Sequence, residues 1–478
     1  MMKKNHRKII LAVGLAFIEI WGCKTPEGAA DIRRNNLPEK YAENIQDTLN
    51  TANVDWENYF NDPYLIALID TALLNNQELN ILAQEIAVSN NEIKARKGEY
   101  LPFLNIGAGG ELDKVGKYTR YGVLEKSHEI DSGEEFPEPF SDLFLTANAS
   151  WEIDIWKKLR NAKKSAVLNY LASIEGKNFM KTKLVAEVAN SYYELVALDN
   201  QLKNIQQNIQ IQQKALSMVK LQKQSAQVNE LAVKKFEAEL FKNKSKQFLI
   251  HQQITETENR INYLLGRYPK PIERFSKPID SIGSHELTTG IPAQLLENRP
   301  DVRKAALELK AAKIDVKVAR ANFYPSLGIN ATFGLNAFNA EHILQTPESM
   351  IYSLAGDLVS PLINRAAIKS AYRSANAKQI QAIYNYEQTL LNAFVEVYNQ
   401  WSNIENLQNS YSLQAKQVEK LTESIVISSD LFKSARADYM EVLMTQRDAL
   451  EAKNELIETK KNQLNAEVNM YQALGGGW

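Results

Sequence analysis

The side chains able to do chemistry are few and scattered along this 478-residue chain. Cys23 is the only cysteine, so no intramolecular disulfide can form and a cysteine-rich metal centre is excluded. The five histidines stand apart, His6 near the N-terminus and His128 in a polar stretch, and none has ligand spacing to another. Lys and Arg (56) nearly balance Asp and Glu (57), for a net charge of −1. No bulk basic field points to nucleic acid, and the basic clusters sit inside helical repeats, where they read as solvated faces. What remains is one thiol and two carboxylates, Glu230 and Glu441, each at a turn between long helical segments. Neither arrangement implies a cofactor, a metal or an enzymatic reaction.

The thiol has a specific context. Lys3, Lys4, Arg7 and Lys8 precede an apolar run from Ile9 to Ile20 that is too short for a permanent membrane-spanning helix. Gly22-Cys23 then resembles a bacterial lipoprotein cleavage site, where a small residue precedes a cysteine whose thiol receives diacylglycerol. Glu19 and Trp21 depart from that pattern. The expectation is a signal peptide over 1–22, lipid on Cys23 and a tether over 23–62. More than one acyl chain gives stable anchoring to membrane lipid, where a single chain is marginal.

The positioning elements are written twice. Arg299-Pro300-Asp301-Val302 replays Asn76-Gln77-Glu78-Leu79, and Pro325 replays Pro102, both at the same offset (299 − 76 = 223). Leu264-Leu265-Gly266 returns as Ala473-Leu474-Gly475 at a tighter offset (475 − 266 = 209). Each copy is expected to fold as the same unit. In copy one, a helix predicted from Pro63 to about Lys97, capped by Asp62, leads to Pro102, after which the period changes to two. Leu104, Ile106, Ala108 and Leu112 alternate with polar or small residues, as do Leu143, Leu145, Ala147, Ala149, Trp151, Ile153 and Ile155. In copy two, Leu327, Ile329, Ala331, Phe333 and Leu335 do the same, then Met350, Tyr352, Leu354 and Leu358. This predicts strands at about 103–112, 143–155, 326–336 and 350–360. The polar loop inside the first hairpin, roughly 113–139, is longer than its counterpart, which shifts the offset.

After each hairpin comes a very long helix, about 100 Å at 1.5 Å per residue. Its heptad seam is Leu198, Leu202, Ile205, Ile209, Gln212, Leu216 and Val219 in copy one. In copy two it is Val397, Trp401, Ile404, Gln408, Tyr411, Ala415, Val418, Thr422, Ile425, Ser429 and Phe432. Return helices are predicted from about Asn229 to Leu265 and from Met440 to Leu474. The repeats thus occupy 63–266 and 299–475, joined by a Pro-containing linker at 267–298 and followed by a tail at 476–478.

Four strands of membrane-crossing length, apolar on one face and polar on the other, cannot close a barrel alone, since transmembrane barrels need at least about eight. Two chains would make a barrel filled by its own side chains; three would make about twelve strands, with room for a pore. Trp151 and Trp156 fall where interfacial aromatics belong.

The repeat, Arg299-Pro300-Asp301-Val302-Arg303, Phe323-Tyr324-Pro325 and the C-terminal Ala473-Leu474-Gly475-Gly476-Gly477-Trp478 resemble the outer membrane efflux protein family, the TolC-type channels, in its lipoprotein (NodT-type) branch. The resemblance implies a mostly helical homotrimer with a 12-stranded outer membrane β-barrel, a 12-helix periplasmic α-barrel closed at its far tip, and an equatorial belt from tether, linker and C-terminus. It implies a passive exit duct for small molecules, working with a periplasmic adaptor and an inner-membrane RND-type transporter, with no cofactor. Protein secretion or metal-ion efflux would use the same duct. A periplasmic adaptor would instead need β-domains flanking its coil, and a structural coiled-coil lipoprotein would have no pore.

The resemblance also locates a candidate gate at the helical tips. Met440-Glu441-Val442-Leu443 matches the family's second-copy segment, and Glu441 falls where the family places an acid at the entrance; the second acid often found three residues on is Met444 here. Three copies would form a carboxylate ring, closable by Arg436 or by hydrogen bonds from Tyr439. Glu230-Leu231-Ala232-Val233 is expected at the equivalent turn of copy one. Pro300 and Asp301 have a structural role as helix-start residues.

Overall fold

The computed structural model describes residues 38–41, 50–131, 133–275, 278–283, 289–361, 365–434 and 436–478. The leader, Cys23 and most of the tether lie outside the described residues. Two compact units emerge. The first is built from 88–170 and 307–383, the second from 33–87, 171–306 and 384–478.

The first unit holds the sheet. Strands β1 (Phe103–Asp113), β4 (Phe140–Ile153), β5 (Ser326–Ala337) and β6 (Met350–Val359) form one antiparallel sheet in the order β1-β4-β5-β6. The loop inside the first hairpin carries elements that periodicity did not reveal: a helix at Arg120–Ser127 and a small ladder of β2 (Glu129–Asp131) with β3 (Glu134–Glu135). The helix is capped by Thr119, whose hydroxyl accepts from the Gly122 amide, a local signal easily lost in a polar stretch. The connection from Asp113 to Phe140 is replaced in copy two by one from Ala337 to Met350, where the repeat offset tightens.

The second unit is helical, and some of the chain's helices lie in the first unit or run from one unit into the other. In chain order, α1 (Trp56–Tyr59), α2 (Pro63–Asn75) and α3 (Gln77–Glu99) precede the first hairpin, whose 120–127 helix is α4. Then follow α5 (Lys158–Gln224) and α6 (Glu230–Leu264), α7 (Leu295–Asn298) and α8 (Pro300–Ala321), and α9 (Ala366–Lys433) and α10 (Tyr439–Leu474). The single helix expected from Pro63 to Lys97 is broken at Asn76, which is extended at ψ 125°. Arg299, its counterpart, breaks α7 from α8 with ψ 117°. The first break is stabilised by the Asn76 side chain, which accepts from the Leu79 amide and so starts the next helix.

The copy-one seam packs as its spacing predicts. Leu198, Ile205, Ile209, Gln212, Leu216 and Val219 are buried, facing a core that includes Val233, Phe236, Leu240, Ile250 and Ile261. The copy-two seam does not. Val397 is buried, but Trp401, Ile404, Tyr411 and Val418 are half-buried and Gln408 and Thr422 exposed. Leu391, Leu413, Val426 and Ile427 of α9 also face solvent in the single chain.

Candidate functional site

In the sheet, register converts the alternation into two faces. Leu104, Ala149, Ala331 and Leu354 form one row across the four strands, and Ile106, Ala147, Phe333 and Tyr352 the next. Leu104, Ile106, Phe333, Tyr352, Leu354 and Leu358 are exposed, giving an apolar surface far beyond scattered single residues. The opposite face carries Asn105, Asn148, Thr332 and Ser353 in one row. Its groups bond laterally: Thr332 Oγ1 donates to Asn148 Oδ1 at 2.8 Å, Asn336 Nδ2 to Asp142 Oδ1 at 2.6 Å and Asn330 Nδ2 to Asp357 Oδ1 at 3.0 Å. At the sheet's end Trp151 Nε1 donates to the Tyr100 carbonyl (3.1 Å) and Trp156 Nε1 to the Pro325 carbonyl (2.7 Å), with Trp156 stacked on Tyr324. Among the described residues, β1 and β6 each have one strand partner, so both outer edges keep unpaired backbone groups.

The tips are built by one backbone device used twice. At the end of α5, Gln227 N–H donates to the Gln222 carbonyl and Ser225 N–H to the Leu221 carbonyl; at the end of α9, Arg436 N–H donates to Leu431 and Ser434 N–H to Asp430. The first is a Schellman closure with Ala226, at φ 57°, in the left-handed position that glycine usually fills. Asn229 and Asp438 then precede the return helices, and the amides of Ala232 and Glu441 bond back to their carbonyls. All these pairs keep the 209 offset. The segment Glu230–Val233 thus lies at the turn equivalent to that of Glu441, with Glu441 opposite Ala232 and Glu230 opposite Tyr439.

The candidate gate residues also have different surroundings. Glu230 is exposed and ion-paired to Lys223 and, at 3.6 Å, to Lys234; the Lys223 hydrogen bond, ahead of both lysine charges, holds its carboxyl below the ordinary value. Glu441 and Arg436 are both exposed and, among the described residues, form no ion pair with each other. Tyr439 packs against the hydrophobic core of the unit instead of reaching Glu441. Lys235 Nζ lies 3.5 Å from Met440 Sδ, bringing the two tips together.

The family model for outer membrane efflux proteins matches residues 68–267 and 291–476. The chain belongs to the outer membrane efflux protein family. It is 27% identical to the pyoverdine export outer membrane protein OpmQ of Pseudomonas aeruginosa, over 88% of this chain and 87% of that one. It is 25% identical to the cation efflux system protein CusC of Escherichia coli, over 92% and 93%. Its fold is that of the Campylobacter jejuni CmeC outer membrane channel, at a TM-score of 0.83 and 18% identity over 94% of each chain. This efflux protein is accordingly an outer membrane component with a helical periplasmic part, and the adaptor alternative is set aside. Among its described residues no helix is long and apolar enough to cross a membrane.

One residue of this efflux protein that sequence reasoning used only as a motif has a clear task. Arg299 is buried, and its Nη1 donates to the Ala473 carbonyl at 2.8 Å and to Glu396 at 2.7 Å, while Nε and Nη2 hold both oxygens of Asp301. Burial alone would lower its pKa, but Asp301 and Glu396 outweigh burial and keep it above the ordinary value. In copy one Asn76 Nδ2 does the same job on the equivalent carbonyl, Leu264, at 2.9 Å. The repeated pairing of 76 with 264 and 299 with 473 was present in the two offsets; only the folded chain joins them.

Proposed function

We propose that three copies pool their sheets into a 12-stranded outer membrane barrel and their long helices into a 12-helix periplasmic tube, forming the exit duct of a tripartite pump. The single observation that carries this is the open four-stranded sheet, with two unpaired edges and one exposed apolar face. An open apolar sheet edge is untenable in hydrocarbon, so the edges must meet those of other copies. The exposed apolar residues of α9 have the same remedy. A periplasmic adaptor and an inner-membrane RND-type transporter supply and drive the cargo. Small molecules are the cargo class, in keeping with the export named for OpmQ; the name of CusC supports metal cations as a second cargo class. Cys23 carries the lipid anchor. Glu441 lines the tip entrance as a ring of three, and Arg436, which has no carboxylate partner among the described residues, is available to close onto Glu441 of an adjacent copy.

Outer membrane protein purified without boiling is expected to migrate as a trimer and to give single-channel current in planar bilayers. A monomer without current would refute the duct. Glu441→Ala is expected to weaken cation block, and an unchanged cation response would remove Glu441 from the gate. Radiolabelled palmitate is expected to enter the parent protein and not Cys23→Ser.

A further inference from the structure

Charge is unevenly spread along this nearly neutral chain. The helical ends that carry the sheet of the first unit are residues 88–102, 154–170, 307–325 and 365–383. Together they hold sixteen Lys and Arg against five Asp and Glu, for a net +11 (16 − 5), which leaves the rest of the chain at −12 (−1 − 11). Residues 365–383 hold four cations and no acid. Three of the five acids are tied down, Glu92 and Glu99 by Arg96 and Asp154 by Arg160.

The free cations share one side. Lys158 pairs with Glu152, which lies on the polar face of the sheet with Asn148. At about 100° per residue, Lys163 and Lys164 stand about 140° and about 120° round α5 from Lys158, on the side of the apolar face. A cavity of about 470 Å³ lined by Glu152, Lys158 and Val359 also takes in Ala371, which marks the polar side of α9. Lys369 and Arg373 are each about 160° from Ala371. The antiparallel α8 packs on α9 through Val316 and Phe323 against Tyr372. Carried across that contact, the polar side of α8 holds Glu308 and Asp315, and the opposite side holds Lys310, Lys313 and Lys317, about 140–160° from Asp315. Lys163 and Lys313 are half-buried and the other five cations of this side are exposed. Among the described residues none of the seven has a carboxylate partner.

We propose that this side of the helical neck binds the phosphate headgroups of anionic phospholipids in the periplasmic leaflet of the outer membrane. Such binding requires the sheet to span that membrane, as in the exit-duct assignment on which it rests, and it adds a lipid site to the duct. Trp151, Trp156 and Tyr324 mark the interface at this end of the sheet. The seven cations lie about 5 to 17 Å from the sheet-side ends of their helices, at 1.5 Å per residue. The headgroup layer is about 5–8 Å deep and the Debye length about 8 Å, so lipid phosphates reach nearly all of that span. An apolar face above and an unpaired basic face below complement a lipid, whose tails lie above and whose phosphate lies below. The cations spread over three helices instead of converging on a cavity, which suits a layer of headgroups and not a single small anion.

Full-length protein would be reconstituted in phosphatidylethanolamine vesicles with a trace of spin-labelled phosphatidylglycerol or phosphatidylcholine. Electron paramagnetic resonance then reads the motionally restricted fraction of each label. The parent is expected to favour phosphatidylglycerol by at least about threefold, and the ratio should fall toward one at about 0.5 M salt. Combining Lys310→Gln, Lys313→Gln, Lys317→Gln, Lys369→Gln and Arg373→Gln should abolish the preference. Arginine at the same four lysines should keep it, which separates charge from folding. Lys203→Gln, Lys214→Gln, Lys235→Gln, Lys246→Gln and Lys416→Gln, five exposed lysines of the second unit, remove as much charge and should leave the preference intact. Millimolar inorganic phosphate should not displace the lipid. A parent without preference, a preference that survives in the neck variant, equal loss in the second-unit variant, or displacement by phosphate would overturn the lipid site, while single-channel current from the same samples upholds the duct. Absence of current from the parent would count against the duct itself.

Discussion

Copy one and copy two solve the same joint with different chemistry. At the first joint a neutral amide, Asn76, caps one helix and bonds the Leu264 carbonyl at the end of another. At the second a guanidinium, Arg299, bonds the Ala473 carbonyl and brings in Asp301 and Glu396, and it is Asp301 that accepts from a helix amide, that of Val302. The glycines opposite them are equally matched: Gly266 sits at φ 64° against the Asn75 carbonyl and Gly475 at φ 96° against the Asn298 carbonyl. Duplication therefore preserved backbone geometry and left side-chain chemistry free to diverge. A buried charge must be paired, so the copy-two joint depends on more residues and fails harder when one is lost.

The comparison can be broken most readily at Arg299. Arg299→Ala is expected to cost about 3 kcal/mol, because it leaves Asp301 and the Ala473 carbonyl without their donor, and Arg299→Lys should recover little since it lacks the planar fork. Thermal unfolding of the detergent-solubilised protein measures both. If Arg299→Ala were as mild as the asparagine variant below, the two joints would be energetically alike. Gly475→Ala and Gly266→Ala should each cost about 2 kcal/mol or more, from the left-handed backbone and from a Cβ placed 2.6 Å and 2.5 Å from a carbonyl oxygen. Similar losses would support backbone equivalence, and a tolerated alanine at either site would end it. Asn76→Ala should cost about 1–2 kcal/mol through a lost cap and an unsatisfied carbonyl.

The smaller effects concern the tips. Ala226→Gly is expected to stabilise by about 0.5–1 kcal/mol by relieving its left-handed strain, seen as slower hydrogen exchange over 221–232. The copy-one tip should also respond to acid. A carboxyl with a lowered folded pKa contributes its stability above the unfolded value, about 4.3, and loses it as pH falls through the folded value. The Lys223 hydrogen bond on Glu230 and the Lys220 hydrogen bond on Glu237 each lower the carboxyl's pKa, so exchange at this tip should rise only below about pH 4. In copy two, Tyr439 replaces Glu230 and removes that carboxylate. Equal acid sensitivity at both tips would show that these pairs are incidental.

Much of this was legible in the residues because it is periodic. A period of two in Leu143 to Ile153 specifies a two-faced strand wherever it sits, and a three-four spacing from Leu198 to Val219 specifies a helical seam. The small helix after Thr119 was hidden because eight residues in a polar loop carry no buried stripe. The seam from Trp401 to Phe432 is half-open in the single chain, because spacing shows which residues can pack, and burial needs a partner surface.

By itself, then, the sequence determined the duplication, the alternating strands, the long helices and the glycine-closed helix ends, since each is a property of neighbours along the chain. Only the tertiary structure decided that Asn76 meets Leu264 and Arg299 meets Ala473, that Glu441 aligns with Ala232, and that Tyr439 turns into the core. Those facts depend on which of many distant groups come within hydrogen-bond or van der Waals reach, and local pattern does not encode that choice.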